Sequence, residues 1–362
     1  MLTPRENFQR MLRHDGPQWL PFDVPTTPPI ADLMEQKTGT RSVQQAFRTD
    51  FENVWVEFAG DIERWRAAFT GLGCALPDDA EISPLGVVHV RPPAASVGKA
   101  YHLREMRHPL AKITTVDQLE RLPWPDLADP AVGRNVADRV RQIHDGGRVA
   151  HGGCECTVFE RAWYQRGMDD LFSDLIEGNG IGDWLLDWHM RRSIRVVTEM
   201  ARAGVDAIGL GDDVGTQRGM MMSVDFWREH LKPRLRRVID AIRANQRDRV
   251  WVKYHSDGNV SEILDDLVEI GVDILNPVQP ECMPLATVIP PHRHHLAFWG
   301  MIGTQTTMPF GTTDDVRAAV AECARYARQG AAIVVAPTHV LEPDVPWENI
   351  RALAEAVHAV TL

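Results

Sequence analysis

Residues 250–279 read VWVKYHSDGNVSEILDDLVEIGVDILNPVQ. An apolar run over 250–254 ends in a polar cluster, His255-Ser256-Asp257-Gly258. Val260, Ile263, Leu264, Leu267 and Val268 then recur at helical spacing, and Gly271 stops that helix. A second apolar run, 272–275, ends in Asn276-Pro277. The stretch is one strand–helix–strand unit, with its reactive groups where the first strand ends. His255 and Asp257 are two positions apart, so in an extended chain their side chains point to the same side.

Working outward, the same alternation recurs along the chain. Short apolar runs near 19–22, 54–58, 148–152, 205–210, 250–254, 272–275, 296–301 and 331–336 are expected to be parallel strands. Helical patterns fall at 4–12, where Thr3 is the expected cap, and at 30–36, 43–47, 115–122 and 131–144. Further helices are expected at 159–171, 183–203, 224–245, 313–328 and 347–361. Residues 82–91 and 100–106 alternate as a β-hairpin, with Pro92-Pro93-Ala94 toward its tip. The expected fold is α/β: a single (β/α)8 TIM barrel over residues 1–362, with an N-terminal helical segment and an inserted β-hairpin near 82–106. The rival is an open doubly wound sheet, and the absence of GxGxxG after the first strand counts against it.

The chain has 362 residues, 44% hydrophobic and 25% charged, which suits a large soluble core. A net charge of -11 argues against a nucleic-acid or anionic-membrane surface. The start, MLTPRENFQRMLRHDG, is amphipathic rather than an apolar leader, and no apolar run is long enough for a bilayer. The five cysteines show no paired framework, so a reducing cytoplasm is expected.

In a barrel, chemistry gathers at the carboxyl ends of the strands. Here those ends carry Cys154, Glu155 and Cys156, then Asp212, Asp213 and Gln217, then His255 and Asp257, then Asn276 and Gln279, then Gln305 and His339. Asp212, Asp213 and Gln217 are the candidate catalytic residues. The alternative for Asp212-Asp213 is a helix cap, and adjacent carboxylates cannot both face inward. One is therefore expected to face the cavity and the other to hold a backbone amide. Gln279, Gln305, Met221 and Glu160 are candidate substrate-binding residues. Glu160 reads equally as a first-turn helix acid, and Met220–Met222 as core. Alternation sends Cys154 and Cys156 to one face, where thiols are most often small apolar groups. His292, His294 and His295 precede a strand and so belong to the wrong end of the barrel.

HSDG followed by GVDILNPVQ, with GDDVGTQRGMMMS before it and APTHVLEPDVPWENIRALAEAVH after it, resembles the uroporphyrinogen decarboxylase superfamily. The resemblance runs from TPRENFQRML to the last helix and implies one (β/α)8 barrel. It also implies either decarboxylation or zinc-dependent methyl transfer with corrinoid proteins. True decarboxylases carry RQAGR after the first strand, where it meets many substrate carboxylates. This chain has PFDVPTTPPI there, with no arginine between Arg13 and Arg41. It is therefore closer to the methyltransferase branch. That branch binds zinc through His-x-Cys and a later Cys, which fall here on His255, Asp257 and His339. Two imidazoles and a carboxylate are an ordinary zinc set with an open position, and they also suit iron(II). Loss of both thiolates argues against alkylation of a thiol.

The expected function is a metal-dependent methyltransferase or demethylase, moving a methyl group between a small O- or N-methyl substrate and a corrinoid. No DxHxxG signature is present, so the cobamide comes from a carrier protein or from solution. Relatives also suggest a homodimer; no nucleic-acid or membrane partner is expected. One alternative is a metal-assisted lyase or decarboxylase of a small acid without corrinoid, using Asp212 or Asp213 as acid or base. The other is a non-catalytic barrel that binds a ligand.

Overall fold

The structure, a computed structural model, describes residues 2–90, 101 and 105–362. Seven parallel strands pair in sequence order: Phe51–Val54, Val149–Glu155, Ala207–Gly211, Trp251–His255, Ile274–Asn276, Ala297–Trp299 and Ile333–Val334. The eighth place is filled by the chain around Phe22. Phe22 bridges Val335 in parallel, Asp23 N–H donates to Val335 O at 3.0 Å, and Asp50 N–H donates to Phe22 O at 2.9 Å. The first expected strand is thus a single bridge flanked by Pro21, which has no N–H for a longer ladder. The sheet curls and closes as a (β/α)8 barrel.

The expected strand at 54–58 lies at Phe51–Val54 instead. Val54, Val56 and Phe58 do alternate and are buried, but only the residues up to Val54 pair with Val149–Gly152. Alternation reports burial, not which partner supplies it. The expected helix over 159–171 is two helices, Phe159–Arg166 and Met168–Glu177, because Gly167 takes φ 92. That over 224–245 divides into Val224–His230 and Lys232–Asn245, with Pro233 in the first turn of the second. Helices Ile62–Gly71 and Leu285–His292 have no counterpart in the sequence reading. The first is capped by Asp61, which accepts from Arg64 N–H at 3.0 Å.

The inserted element is a three-stranded antiparallel sheet, Glu81–Ile82, Val88–Val90 and Glu105–Arg107. The expected tip, Pro92-Pro93-Ala94, lies outside the described residues.

The amino end of the barrel is plugged by Pro4–Leu12, which opens with a capping box between Thr3 and Glu6. Its Phe8 meets Phe51 edge-on at 5.2 Å and Trp299 at 6.3 Å, inside a layer with Val149, Ala207, Ile274 and Ala297. Asp206 anchors the plug. It accepts from Arg5 Nε at 2.8 Å, Gln9 Nε2 at 3.2 Å and Ala150 N–H at 2.9 Å, and pairs with His144 Nε2 at 2.9 Å. Closing the amino end with apolar side chains leaves the carboxyl end as the open rim. Among the described residues, no helix is long and apolar enough to cross a membrane.

Candidate active site

Strand register sets the site. Gly211 pairs with His255, and His255 pairs with Asn276, so three neighbouring strands end side by side at the rim. A Cβ at Gly211 would come within 2.3 Å of the His255 carbonyl oxygen, so only glycine admits this approach. The loops beyond are backbone to backbone as well: Asn259 N–H donates to Thr216 O at 2.8 Å, and Gly258 takes φ 81.

His255 Nδ1 lies 2.8 Å from Asn276 Oδ1. The Asn276 amide nitrogen donates to the Trp299 carbonyl at 2.8 Å, which fixes the amide with its oxygen toward the imidazole. An amide oxygen only accepts, so the His255 proton sits on Nδ1 and Nε2 faces the cavity. Two carboxylates stand there: Asp213 Oδ1 at 3.7 Å and Asp257 Oδ1 at 3.9 Å. Burial alone would lower the pKa of His255. The charges of Asp257 and Asp213 and the bond to Asn276 outweigh it and raise the value.

Among the described residues, the group of three ligand-capable side chains whose ligand atoms all lie within 4.8 Å of one another is Asp213, His255 and Asp257. Asp213, read from the sequence as a catalytic carboxylate, thus joins the two expected metal ligands. His339, expected as the third ligand, is not in that group; it lines a cavity of about 230 Å³ together with Asp257, Gln279, Thr304, Gln305 and Glu342. The donor set fits a divalent cation: one imidazole with its second nitrogen tied down, and two carboxylates with oxygens turned to it.

The adjacent aspartates divide their roles as adjacency requires. Asp212 is buried and accepts from Val158 N–H at 3.0 Å and Glu160 N–H at 2.9 Å, at the start of Phe159–Arg166. Asp213 turns to the cavity and accepts from Asp257 N–H at 2.7 Å. Glu160 lies buried behind both, accepting from Tyr164 Oη at 2.5 Å and from Asp213 N–H at 3.1 Å. Burial, and then the negative charge of Glu160, pushes Asp212 up to about 8; burial, and then the charge of Asp213, raises Glu160. Sequence reading missed Tyr164, although Glu160 and Tyr164 have the i, i+4 spacing that brings helical side chains together.

Gln279, expected to bind substrate, is buried and holds the rim. Its Oε1 accepts from Gly258 N–H at 2.8 Å, and its Nε2 is 3.4 Å from Asp257 Oδ1. Gln217 Nε2 donates to Gln279 Oε1 at 3.4 Å. Gln305 lines the cavity, and its N–H donates to Glu281 at 3.3 Å. Met221 is half-buried against the core.

Below the rim the barrel interior stays polar. Lys253 Nζ lies 3.4 Å from Glu155 Oε1 and 4.8 Å over the Trp299 ring, and His151 Nδ1 pairs with Asn53 at 3.0 Å. Gly209 makes the room for them, since a Cβ there would meet Glu155 at 2.2 Å. The expected shared face of Cys154 and Cys156 does not form. The strand ends at Glu155 and Cys156 takes φ 53, which breaks the alternation.

Residues 86–360 match the family model described as Uroporphyrinogen decarboxylase (URO-D). A methylcobamide:CoM methyltransferase, MtaA, of Methanosarcina barkeri is 28% identical over 196 residues, 51% of this chain and 54% of that protein. MtaA of Methanosarcina barkeri strain Fusaro / DSM 804 is 26% identical over the same length. The chain spans about half the length of these curated relatives. Among solved structures, a methyltransferase from Methanosarcina mazei superposes with a TM-score of 0.61, at 18% identity and 99% coverage of both chains. At that identity the likeness speaks for the fold.

Proposed function

Because the chain belongs to the uroporphyrinogen decarboxylase family, we propose that it is a metal-dependent methyltransferase or demethylase. It exchanges a methyl group between a small O- or N-methyl substrate and a corrinoid, which a carrier protein or the solution supplies. The observation that carries this reading is His255, held through Nδ1 by Asn276 with Nε2 turned to two carboxylates. Similarity to methylcobamide-using enzymes supports the choice of methyl transfer.

Asp213, His255 and Asp257 hold the metal, and zinc or iron(II) fits such a set. When bound, the cation supplies Lewis acidity toward the heteroatom that carries the methyl group. A corrinoid, when present, would supply cobalt chemistry for the methyl exchange. The remaining work belongs to the chain. Asn276 fixes the imidazole, while Gln279 and the Asp257 N–H hold the two carboxylates in place. Glu160 accepts from the Asp213 N–H and is itself held by Tyr164, which fixes the backbone that presents Asp213. The cavity beside Asp257, lined by Gln305 and His339, receives the substrate. Among the described residues its lining contains Glu342 and Asp344 and no arginine or lysine, which disfavours a polycarboxylate.

The test is anaerobic incubation of metal-loaded protein with cob(I)alamin and a panel of O- and N-methyl compounds, followed by the absorbance of methylcobalamin. Formation that is lost in His255→Ala is expected. Turnover of a small acid with metal but without cobamide would move the chain to the lyase reading. Fast methylation of a thiol by methylcobalamin would overturn the O- or N-methyl assignment.

A further inference from the structure

At the carboxyl end of Val149–Glu155, two arginines from neighbouring helices lie without a counter-ion among the described residues. Arg192, on Ile181–Ala203, is 6% exposed. Its Nη1 lies 3.8 Å from Cys154 Sγ and 3.3 Å from Ser193 Oγ. Arg161, on Phe159–Arg166, is half-buried, and its Nη2 lies 3.5 Å from the Glu155 carbonyl oxygen. Among the described residues, neither guanidinium lies within 4.0 Å of a carboxylate. Arg166, on the same helix, shows the ordinary arrangement: it pairs with Asp174 at 2.8 and 3.0 Å.

Both guanidinium groups reach the same strand end, at Glu155 and the adjacent Cys154, and the Gln165–His189 bond joins their two helices one turn away. Arg161 Nε, Arg192 Nε and His189 Nδ1 are each buried and unpartnered. The three side chains are close enough to feel one another. Burial and then Arg161 push Arg192 down to about 10, and burial and then both arginines depress His189. Cys154 supplies no counter-charge, since burial raises its thiol. Water would satisfy the donors but leave two like charges in a poorly solvating space, which is unfavourable without an anion. Paired guanidinium forks match the oxygens of an oxyanion.

His189 adds a preference. Gln165 donates through Nε2 to Leu85 O at 2.6 Å, so its Oε1, 2.9 Å away, accepts from His189 Nε2. His189 Nδ1 is then a bare acceptor. Phosphate offers an O–H to that acceptor and anionic oxygens to the arginines. Sulfate offers no O–H near neutral pH.

We propose that Arg161 and Arg192, with His189 as acceptor, form a binding site for a phosphate group. Arg161, half-buried beside the carboxyl end of Val149–Glu155, is its open side. The group comes free in solution or as a monoester on a larger ligand.

The test is calorimetric titration of the full chain with inorganic phosphate, glycerol phosphate, sulfate and chloride. Tryptophan fluorescence provides a second readout, because the Trp188 ring lies 5.1 Å from His189. Saturable binding of phosphate, at least tenfold tighter than sulfate and without response to chloride, is expected. Inorganic phosphate binding more tightly than glycerol phosphate identifies the free ion; the reverse identifies a monoester. Arg161→Gln, at the half-exposed position, should fold and weaken binding at least tenfold. It should also abolish the rise in melting temperature with phosphate. Arg192→Met tests the buried member by the same readouts. Absence of saturable binding, sulfate binding as tightly as phosphate, or an Arg161→Gln variant with unchanged affinity would overturn the proposal.

Discussion

His255 and Asn276 occupy paired positions on neighbouring barrel strands, and their side chains meet at 2.8 Å through Nδ1 and Oδ1. That contact decides which nitrogen of His255 carries its proton, because the Asn276 amide is itself oriented by the Trp299 carbonyl. Asn276→Ala should weaken metal binding by about 10–100-fold, the usual loss when the partner of a ligand histidine is removed. Metal titration followed by calorimetry measures it. Unchanged affinity in a folded variant would show that Asn276 does not orient the imidazole.

The identity of the third ligand can be settled by metal content. His255→Ala, Asp257→Ala and Asp213→Ala should each lose most of the bound metal, since their ligand atoms lie within 4.8 Å of one another. His339→Ala should keep it and raise KM, because His339 lines the adjoining cavity. Full metal in Asp213→Ala together with loss in His339→Ala would restore the His255, Asp257, His339 set that the sequence suggests.

Gly211→Ala should disturb the site by sterics alone. The added Cβ would lie 2.3 Å from the His255 carbonyl oxygen, and backbone cannot swing aside as a flexible side chain can. A loss of about 1–3 kcal/mol is expected, as for other overpacked sites, with reduced metal affinity. Denaturant unfolding checks the first and metal titration the second. A variant equal to the parent in both would contradict the closeness of strands Ala207–Gly211 and Trp251–His255.

Asp206 governs the amino end of the barrel. Burial alone would raise its pKa, but the bonds from His144, Ala150 N–H and Arg5 outweigh it and hold the carboxyl below 3.8. A depressed carboxylate contributes stability that is fully present above its unfolded value, about 3.9, and is lost as pH falls through the lower folded value. Unfolding free energy should therefore drop on acidification below about pH 4, and less steeply in Asp206→Ala. At neutral pH that variant should lose about 1–3 kcal/mol, because the Ala150 N–H loses its acceptor while Arg5 stays partly in solvent. Urea unfolding across pH tests both, and parallel pH profiles for the two proteins would refute the linkage.

Much of the fold was legible in the sequence because its signals are local. Period-two and helical apolar patterns mark which residues face a core, so the strand–helix–strand unit at 250–279 and the order of the barrel strands could be read from it. The pairing of His255 with Asp257 on one side also follows from the strand period. Other features needed the tertiary structure. Alternation over 54–58 reported burial truly, yet the ladder partner lies at Phe51–Val54, because register depends on the neighbouring strand. Asp213 joins His255 because Asp212 is taken up by the amides of Val158 and Glu160, residues 54 and 52 positions away in the chain. The bond between Asn276 and His255, and the uncompensated pair Arg161 and Arg192, depend likewise on side chains that only closure of the barrel and packing of its helices bring together. Sequence period fixes the face on which a side chain lies; packing between elements far apart in the chain decides what it meets.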